Sequence, residues 1–92
     1  IDIRNTATGK TGTLDTSAVF VAIGHTPATE FIADVVSTDD DGYITVAEAG
    51  THTSAPGVFA AGDCVDRTYR QAISAAGMGC RAALDAQQYL TA

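Results

Sequence analysis

Apolar and polar residues change their spacing several times along the chain, and each change predicts a different element. Residues 1–5 alternate apolar and polar, which predicts a strand, and residues 8–12 predict the turn of a hairpin. The returning strand begins near Thr13 and leads into an apolar run without alternation at residues 18–24. Such a run predicts a strand covered on both faces, as in the parallel sheet of an α/β fold. Pro27 restricts the backbone before it, so we expect a boundary between elements or domains there.

The second half of the chain predicts short elements followed by one long helix. Residues 30–36 predict one or two helical turns, and residues 43–46 and 57–61 predict short strands. From about Thr68, residues near one helical face recur at the expected spacing: Ile73, Ala76, Cys80, Ala83, Leu84, Gln87 and Leu90. Either Asp66 or Thr68 is expected to cap the start of this helix.

Two glycines, Gly77 and Gly79, lie inside the helical pattern. Each weakens a helix by about 1 kcal/mol relative to alanine. Their presence indicates that this part of the helix packs closely against a neighbour or a ligand.

The balance of charge excludes some classes of partner. The chain has 92 residues and a net charge of −6, and its five Lys and Arg residues are scattered. This argues against binding to nucleic acid or to an anionic membrane surface. No apolar run is long enough to cross a membrane, and no signal peptide is recognisable. The chain begins at Ile1 without methionine, so we expect a fragment of a longer cytoplasmic protein.

The two cysteines carry no recognisable redox or metal pattern. Cys64 and Cys80 are separated by a spacing that matches neither a CxxC pair nor a zinc site. We interpret them as reduced and mostly buried thiols.

Residues 37–48 resemble an EF-hand calcium loop at most ligand positions. Asp39, Asp41 and Glu48 occupy positions at which such a loop carries ligands. Ser37, however, stands first, where the pattern requires Asp, and the residues after Glu48 cannot form an exiting helix. A calcium-binding or interaction module is therefore kept only as the alternative from a different functional class.

The most informative position is Asp63, which follows an apolar strand and a glycine and precedes the helix. A carboxylate there needs hydrogen-bond donors, because an unpaired charge is costly to bury. Two roles are open, a helix cap or an acceptor for sugar or ribityl hydroxyl groups. Arg70, Gln71 and Ala72 lie near the helix start, where backbone N–H groups can stabilise the negative charge of a reduced flavin.

Several segments together resemble bacterial thioredoxin reductases: residues 19–27, 56–63, 68–72 and 79–90. The likeness covers nearly the whole chain, and the Gly-Asp pair followed by Arg-Gln-Ala is its most specific part. It implies an α/β fold, the C-terminal part of a three-layer, Rossmann-like flavoprotein that binds FAD and NAD(P). Residues 1–27 would be the last strands of the NADPH-binding domain, and residues 28–92 the C-terminal part of the FAD-binding domain. Residues 24–29 would then be one of two connections about which the domains rotate.

The resemblance also implies roles for individual residues. Asp63 would accept hydrogen bonds from the ribityl chain of FAD, and Arg70, Gln71 and Ala72 would line the flavin. Ile23 and Tyr43 would approach NADPH. The implied cofactor-binding residues are Ile23, Tyr43, Asp63, Cys64, Arg70, Gln71 and Ala72.

In the family that this chain resembles, a hydride passes from NADPH to FAD, and electrons then pass to a CxxC disulfide and to thioredoxin. The resemblance implies a cytoplasmic homodimer as the parent protein, with thioredoxin as its partner. This chain contains no CxxC and no glycine-rich phosphate loop, so we expect the fragment itself to be inactive. A ferredoxin–NADP reductase of the same type, or the flavoprotein partner of a peroxiredoxin, is the closest alternative.

Overall fold

The hairpin predicted at the start of the chain is present. In the computed structural model, which describes residues 1–91, β1 (Asp2–Arg4) pairs antiparallel with β2 (Thr11–Thr13). The register pairs Asp2 with Thr13, Ile3 with Gly12 and Arg4 with Thr11. Asn5 closes the turn, because its carbonyl accepts the Gly9 N–H at 2.8 Å. Gly9 has a left-handed φ of 75°, which glycine adopts without steric cost.

The apolar run at residues 18–24 does not form the predicted covered strand. It contains no regular element, and Phe20 and Ile23 are 95% and 93% exposed. Within the described chain, no backbone hydrogen bond joins residues 15–26 to another segment. A strand is stable beside a partner that takes up its backbone hydrogen bonds, and residues 1–91 place none next to this run. The returning strand accordingly ends at Thr13.

A small apolar core lies in the second half of the chain. Its buried centre consists of Val36, Ile44 and Ala60. Half-buried side chains pack around this centre: Ile32, Val46, Ala55, Val58, Cys64 and Val65. The predicted helical turns are present beside it as a 3-10 helix at Glu30–Ile32, where the Ile32 carbonyl also accepts the Val36 N–H at 3.1 Å.

The two strands predicted around this core are reduced to single bridges. The bridges pair Thr38 with Ile44 and His52 with Phe59, both antiparallel. Residues 43–46 and 57–61 therefore do not form continuous strands. The Ile44 N–H instead donates to the Cys64 carbonyl at 2.8 Å. Neighbouring loops, rather than a ladder of strands, take up these buried backbone groups.

The predicted long helix is present as α1 (Ala72–Thr91), which starts later than the expected Thr68. None of the helix residues that the structure describes is fully buried, and Ile73 is 85% exposed. The ring of Tyr89 packs edge-on against Phe59, with 5.9 Å between the ring centroids. The apolar residues of α1 thus recur at the predicted spacing, but this chain leaves most of the face that they form uncovered.

The chain as a whole is elongated. Its Cα radius of gyration is 19.3 Å, and it measures 64 × 27 × 21 Å along its principal axes. A compact domain of this length has a radius of gyration of about 12 Å. Large apolar side chains such as Val21 and Leu90 consequently remain at the surface. No helix within residues 1–91 is both long and apolar enough to cross a membrane.

Candidate functional site

The predicted ligand-facing carboxylate lies on a tight turn against α1. Gly62 has a left-handed φ of 86°, and its carbonyl accepts the N–H groups of Val65 and Asp66 at 3.0 and 2.9 Å. A Cβ at Gly62 would lie 3.9 Å from the Cβ of Ala75. Asp63 is exposed on this turn, and its carboxylate has no hydrogen-bond partner within residues 1–91. Of the two roles left open for Asp63, the helix cap is therefore excluded.

Cys64 ties this turn to the core through its backbone. Its carbonyl accepts the Ile44 N–H, and its thiol donates to the Ala61 carbonyl at 3.3 Å. The thiol of Cys64 is half-buried, whereas that of Cys80 is exposed. The expectation of mostly buried thiols is wrong for Cys80, because nothing in the described chain covers its face of α1.

Asp66 caps the segment that leads into α1. Its Oδ1 accepts the N–H groups of Thr68 and Tyr69, and its Oδ2 accepts that of Arg70, each at 2.9 Å. The hydrogen bonds from Tyr69 and then Arg70 lower the pKa of Asp66, because they stabilise its charged form. The sequence led us to expect Asp66 or Thr68 at the helix cap, but neither caps α1: the helix begins at Ala72, and Asp66 bonds to residues 68–70 before it.

The helix starts late because the backbone leaves the helical path at Arg70. Arg70 has a left-handed φ of 53°. This conformation costs a residue other than glycine about 1–2 kcal/mol. Gln71 follows, and its carbonyl accepts the first helical hydrogen bond, from the Ala75 N–H at 2.9 Å. The side-chain amide of Gln71 donates back to the Tyr69 carbonyl at 3.1 Å.

The N-terminal end of α1 leaves backbone donors free. The Ser74 hydroxyl lies 3.3 Å from the Gln71 nitrogen and donates to the Gln71 carbonyl at 2.9 Å. The N–H groups of Ala72 and Ile73 have no acceptor within residues 1–91. Such groups carry the partial positive charge of a helix end and favour electron-rich ligand atoms. Ala72 therefore offers a free backbone donor, whereas the backbone N–H of Gln71 is used within the chain.

Two arginines contact Tyr43, which is 5% exposed. The Arg70 Nη1 donates to the Tyr43 hydroxyl at 3.5 Å, and the Arg67 guanidinium carbon lies 5.1 Å from the ring centroid. The His25 ring lies 6.3 Å away at a tilt of 33°. The structure thus brings together Tyr43 and Arg70, two residues that the sequence placed in a cofactor site. No hydrogen bond or ring contact in the described chain links Ile23 to them.

Sequence reasoning missed the role of Arg67. Its guanidinium forms ion pairs with Asp39 and with Asp41, the latter at 3.3 Å. Partial burial raises the pKa of Asp39, but hydrogen bonds from Tyr43 and Asp41 and the charge of Arg67 lower it overall. Arg67 thereby engages two carboxylates of the calcium-like pattern. No local spacing could reveal this contact, because the partners are far apart in sequence.

Comparison with known proteins decides the family. The sequence model of one family, described as pyridine nucleotide-disulphide oxidoreductase, matches residues 2–79. The chain belongs to the pyridine nucleotide-disulphide oxidoreductases. The chain is similar to the bifunctional thioredoxin reductase/thioredoxin of Mycobacterium leprae, with 59% identity over 96% of the chain and 19% of that protein. It is also similar to the thioredoxin reductase of Streptomyces clavuligerus, with 53% identity over 100% of the chain and 29% of that protein.

Solved structures give the same result for the fold. The thioredoxin reductase of Giardia duodenalis matches with a TM-score of 0.81 and 46% identity, over 99% of this chain and 30% of that one. The thioredoxin reductase of Streptococcus pyogenes matches with a TM-score of 0.79 and 33% identity, over 98% and 29%. The predicted fold class and the resemblance to thioredoxin reductases are confirmed. The chain spans less than a third of the length of each of these relatives.

Proposed function

We propose that this chain is the C-terminal portion of an NADPH-dependent thioredoxin-disulfide reductase and supplies the ribityl and flavin side of an FAD site. One arrangement carries the proposal. The unpartnered carboxylate of Asp63 and the free N–H groups of Ala72 and Ile73 lie on two neighbouring elements, since a Cβ at Gly62 would lie 3.9 Å from that of Ala75. Family membership gives this arrangement its chemical context.

The donors and acceptors present fit this part of FAD. An exposed carboxylate matches the hydroxyl donors of a ribityl chain, and the N-terminal end of a helix matches the electron-rich edge of a flavin. When bound, FAD accepts hydride and passes electrons on. Asp63 then holds the ribityl chain, and Ala72 directs its N–H at the flavin edge. Arg70, which donates to the Tyr43 hydroxyl, would line the flavin, and so would Gln71, the residue before Ala72.

NADPH is the proposed source of reducing equivalents. Ile23 and Tyr43 are the residues assigned to its approach. Tyr43 suits this role because its hydroxyl lies beside the Arg70 guanidinium, whose positive charge attracts an anionic cofactor. Cys64, the remaining member of the proposed site, acts through the backbone bond that positions the turn of Asp63.

The proposed division between the NADPH and FAD parts lies at Pro27. Support comes from the bonding on each side of it. Residues 15–26 have no backbone hydrogen bonds to other described segments, whereas Pro27 is buried next to Gly42. The Thr29 hydroxyl donates to the Gly42 carbonyl. This difference supports the division, and we propose that residues 1–27 move with one domain and residues 28–92 with the other, about a hinge at residues 24–29.

The remaining chemistry is proposed to lie elsewhere in the parent protein. The chain has no CxxC, and its two cysteines are not bonded to each other. A redox-active disulfide outside this chain would receive electrons from the flavin and reduce thioredoxin. We propose a cytoplasmic homodimer as the parent, in line with the family resemblance. The chain by itself is not expected to turn over substrate.

The parent reductase tests the proposal directly. We expect it to purify with one FAD per chain and to oxidise NADPH in the presence of thioredoxin. D63A should weaken FAD binding about tenfold or more, because a hydrogen bond to a charged group is lost. D40A is the matched control, since Asp40 is exposed and has no side-chain hydrogen bond within residues 1–91. Unchanged FAD affinity in D63A would refute the assignment of Asp63 to the FAD site. If the parent reduces ferredoxin or a peroxiredoxin partner instead of thioredoxin, it belongs to one of the alternative flavoprotein classes.

A further inference from the structure

We propose that Asp66 is a positioning residue for the flavin side of the site. Its carboxylate fixes the turn at residues 67–70, and this turn sets the direction of Arg70 and of the first free N–H groups of α1. The inference rests on the proposed function, because the groups that Asp66 orients are those proposed to line the flavin.

The contacts of Asp66 cover the whole turn. Both carboxylate oxygens are used, and they hold three successive backbone N–H groups at 2.9 Å, those of Thr68, Tyr69 and Arg70. Asp66 is half-buried, and its own N–H is bonded to the Gly62 carbonyl at 2.9 Å. The carboxylate thus connects the turn that carries Asp63 with the segment that enters α1.

The held conformation is one that Arg70 does not adopt freely. Its φ of 53° lies in the left-handed region, which is unfavourable for a residue with a Cβ. The bond from its N–H to the Asp66 Oδ2 stabilises this conformation directly. The Gln71 amide then bonds to the Tyr69 carbonyl, and Gln71 begins the helical hydrogen bonds. A continuous set of bonds therefore runs from Asp66 to the first turn of α1.

The chemistry of the carboxylate supplies a specific variant. In Asp66→Asn one oxygen is replaced by an NH₂ group, which donates and cannot accept. An asparagine that keeps its oxygen toward Thr68 and Tyr69 places its NH₂ against the Arg70 N–H. The variant therefore removes the Arg70 bond selectively while it preserves the size of the side chain.

The test uses the FAD-loaded parent reductase and compares D66N with D40N, which alters an exposed aspartate of no assigned role. The readouts are the flavin midpoint potential, the flavin absorption spectrum, and kcat and KM for thioredoxin. We expect D66N to make the potential more negative, because N–H groups that stabilise the reduced flavin are misdirected. We expect kcat to fall about tenfold with KM for thioredoxin unchanged, since one interaction at the flavin is lost.

The outcomes are distinguishable. A wild-type parent that binds no FAD contradicts the proposed function itself. A parent that binds FAD normally, with equal potentials and spectra in D66N, D40N and wild type, overturns only the role of Asp66. If D66N does not fold, the double variant D66N/R70G decides, because glycine adopts a positive φ without strain. The inference predicts that D66N/R70G folds, and a double variant that also fails to fold would overturn it.

Discussion

Asp85, on α1, accepts two hydrogen bonds from Thr51, one from its hydroxyl at 2.6 Å and one from its backbone N–H at 3.2 Å. Thr51 is almost completely buried, and its carbonyl accepts the N–H of the core residue Ala60. This pair fastens the C-terminal half of the helix to the loop that leads to the Asp63 turn. The Asp66 carboxylate, by contrast, bonds to residues 68–70, which precede α1.

We expect T51V and D85A each to lower the free energy of unfolding, because T51V removes the donor hydroxyl and D85A removes the Oδ2 that accepts from it. Their effects should not add, since both remove the same contact. A double-mutant cycle measured by urea unfolding checks this. T68V is the control, because the Thr68 hydroxyl has no partner within residues 1–91. Strictly additive losses would show that the two residues are not coupled.

Stability is expected to fall in acid. The Thr51 side chain above all lowers the pKa of Asp85, and the pKa values of Asp39 and Asp66 are also lowered from 3.8. A carboxyl with a lowered folded-state pKa stabilises fully above its unfolded value, and this stabilisation is lost as pH falls through the folded-state pKa. Urea midpoints should therefore be flat near neutrality and drop below pH 3.8. D85N should make the drop shallower, and a steeper drop in that variant would contradict the assignment.

Two glycine substitutions should change the free energy of unfolding in opposite directions. Gly57 has a φ of 80°, and a Cβ there would lie 3.4 Å from the Tyr89 ring, so G57A should lower the free energy of unfolding by about 1–2 kcal/mol. Gly79 lies inside α1 with nothing within 4 Å of a Cβ, so G79A in this chain should raise it by about 1 kcal/mol. Chemical denaturation followed by circular dichroism measures both. If G79A is instead destabilising in the parent protein, a neighbour packs there, as the sequence indicated.

The exposed run at residues 18–24 should make the 92-residue chain associate with itself. Phe20, Val21 and Ile23 form an apolar stretch of strand-forming residues without a partner, and such stretches pair with other chains. We expect light scattering to report oligomers that V21K reduces. K10R, which preserves charge in the hairpin turn, is the control. A monomeric wild-type chain at the same concentration would contradict this expectation.

The isolated chain should not retain stoichiometric FAD. It offers Asp63 and the end of α1 but no glycine-rich loop for the pyrophosphate. The absorption spectrum of the purified chain in the visible flavin band checks this. One bound FAD per chain would show that the residues present are sufficient for binding.

Local patterns predicted the elements whose hydrogen bonds close within a few residues. The hairpin around Asn5 and Gly9, the turn at Glu30–Ile32 and α1 are all of this kind. The strands predicted at residues 18–24 and 57–61 depend on partners distant in sequence, and the described chain does not provide them. Hydrophobic spacing reports what a segment can bury, not whether a neighbour is present to cover it.

The residues of the proposed site were chosen from the sequence, whereas the contacts that support them were not predicted. Asp63 and Ala72 could be chosen because a carboxylate and a helix start are visible in sequence. Arg67 could not be assigned, since its ion pairs join segments far apart. The late helix start could not be predicted either, because the residue type of Arg70 does not indicate a positive φ.

The backbone hydrogen bond from Ile44 to Cys64 affects which substitutions the Gly-Asp turn can tolerate. The bond uses the carbonyl of position 64 and makes no demand on its side chain, whereas position 62 needs a φ of 86°. A saturation library of the parent reductase, selected for flavin retention, should therefore return glycine almost alone at position 62. At position 64 it should return a broad set of small and medium residues, so that neighbouring positions of one turn differ sharply in the variation they permit.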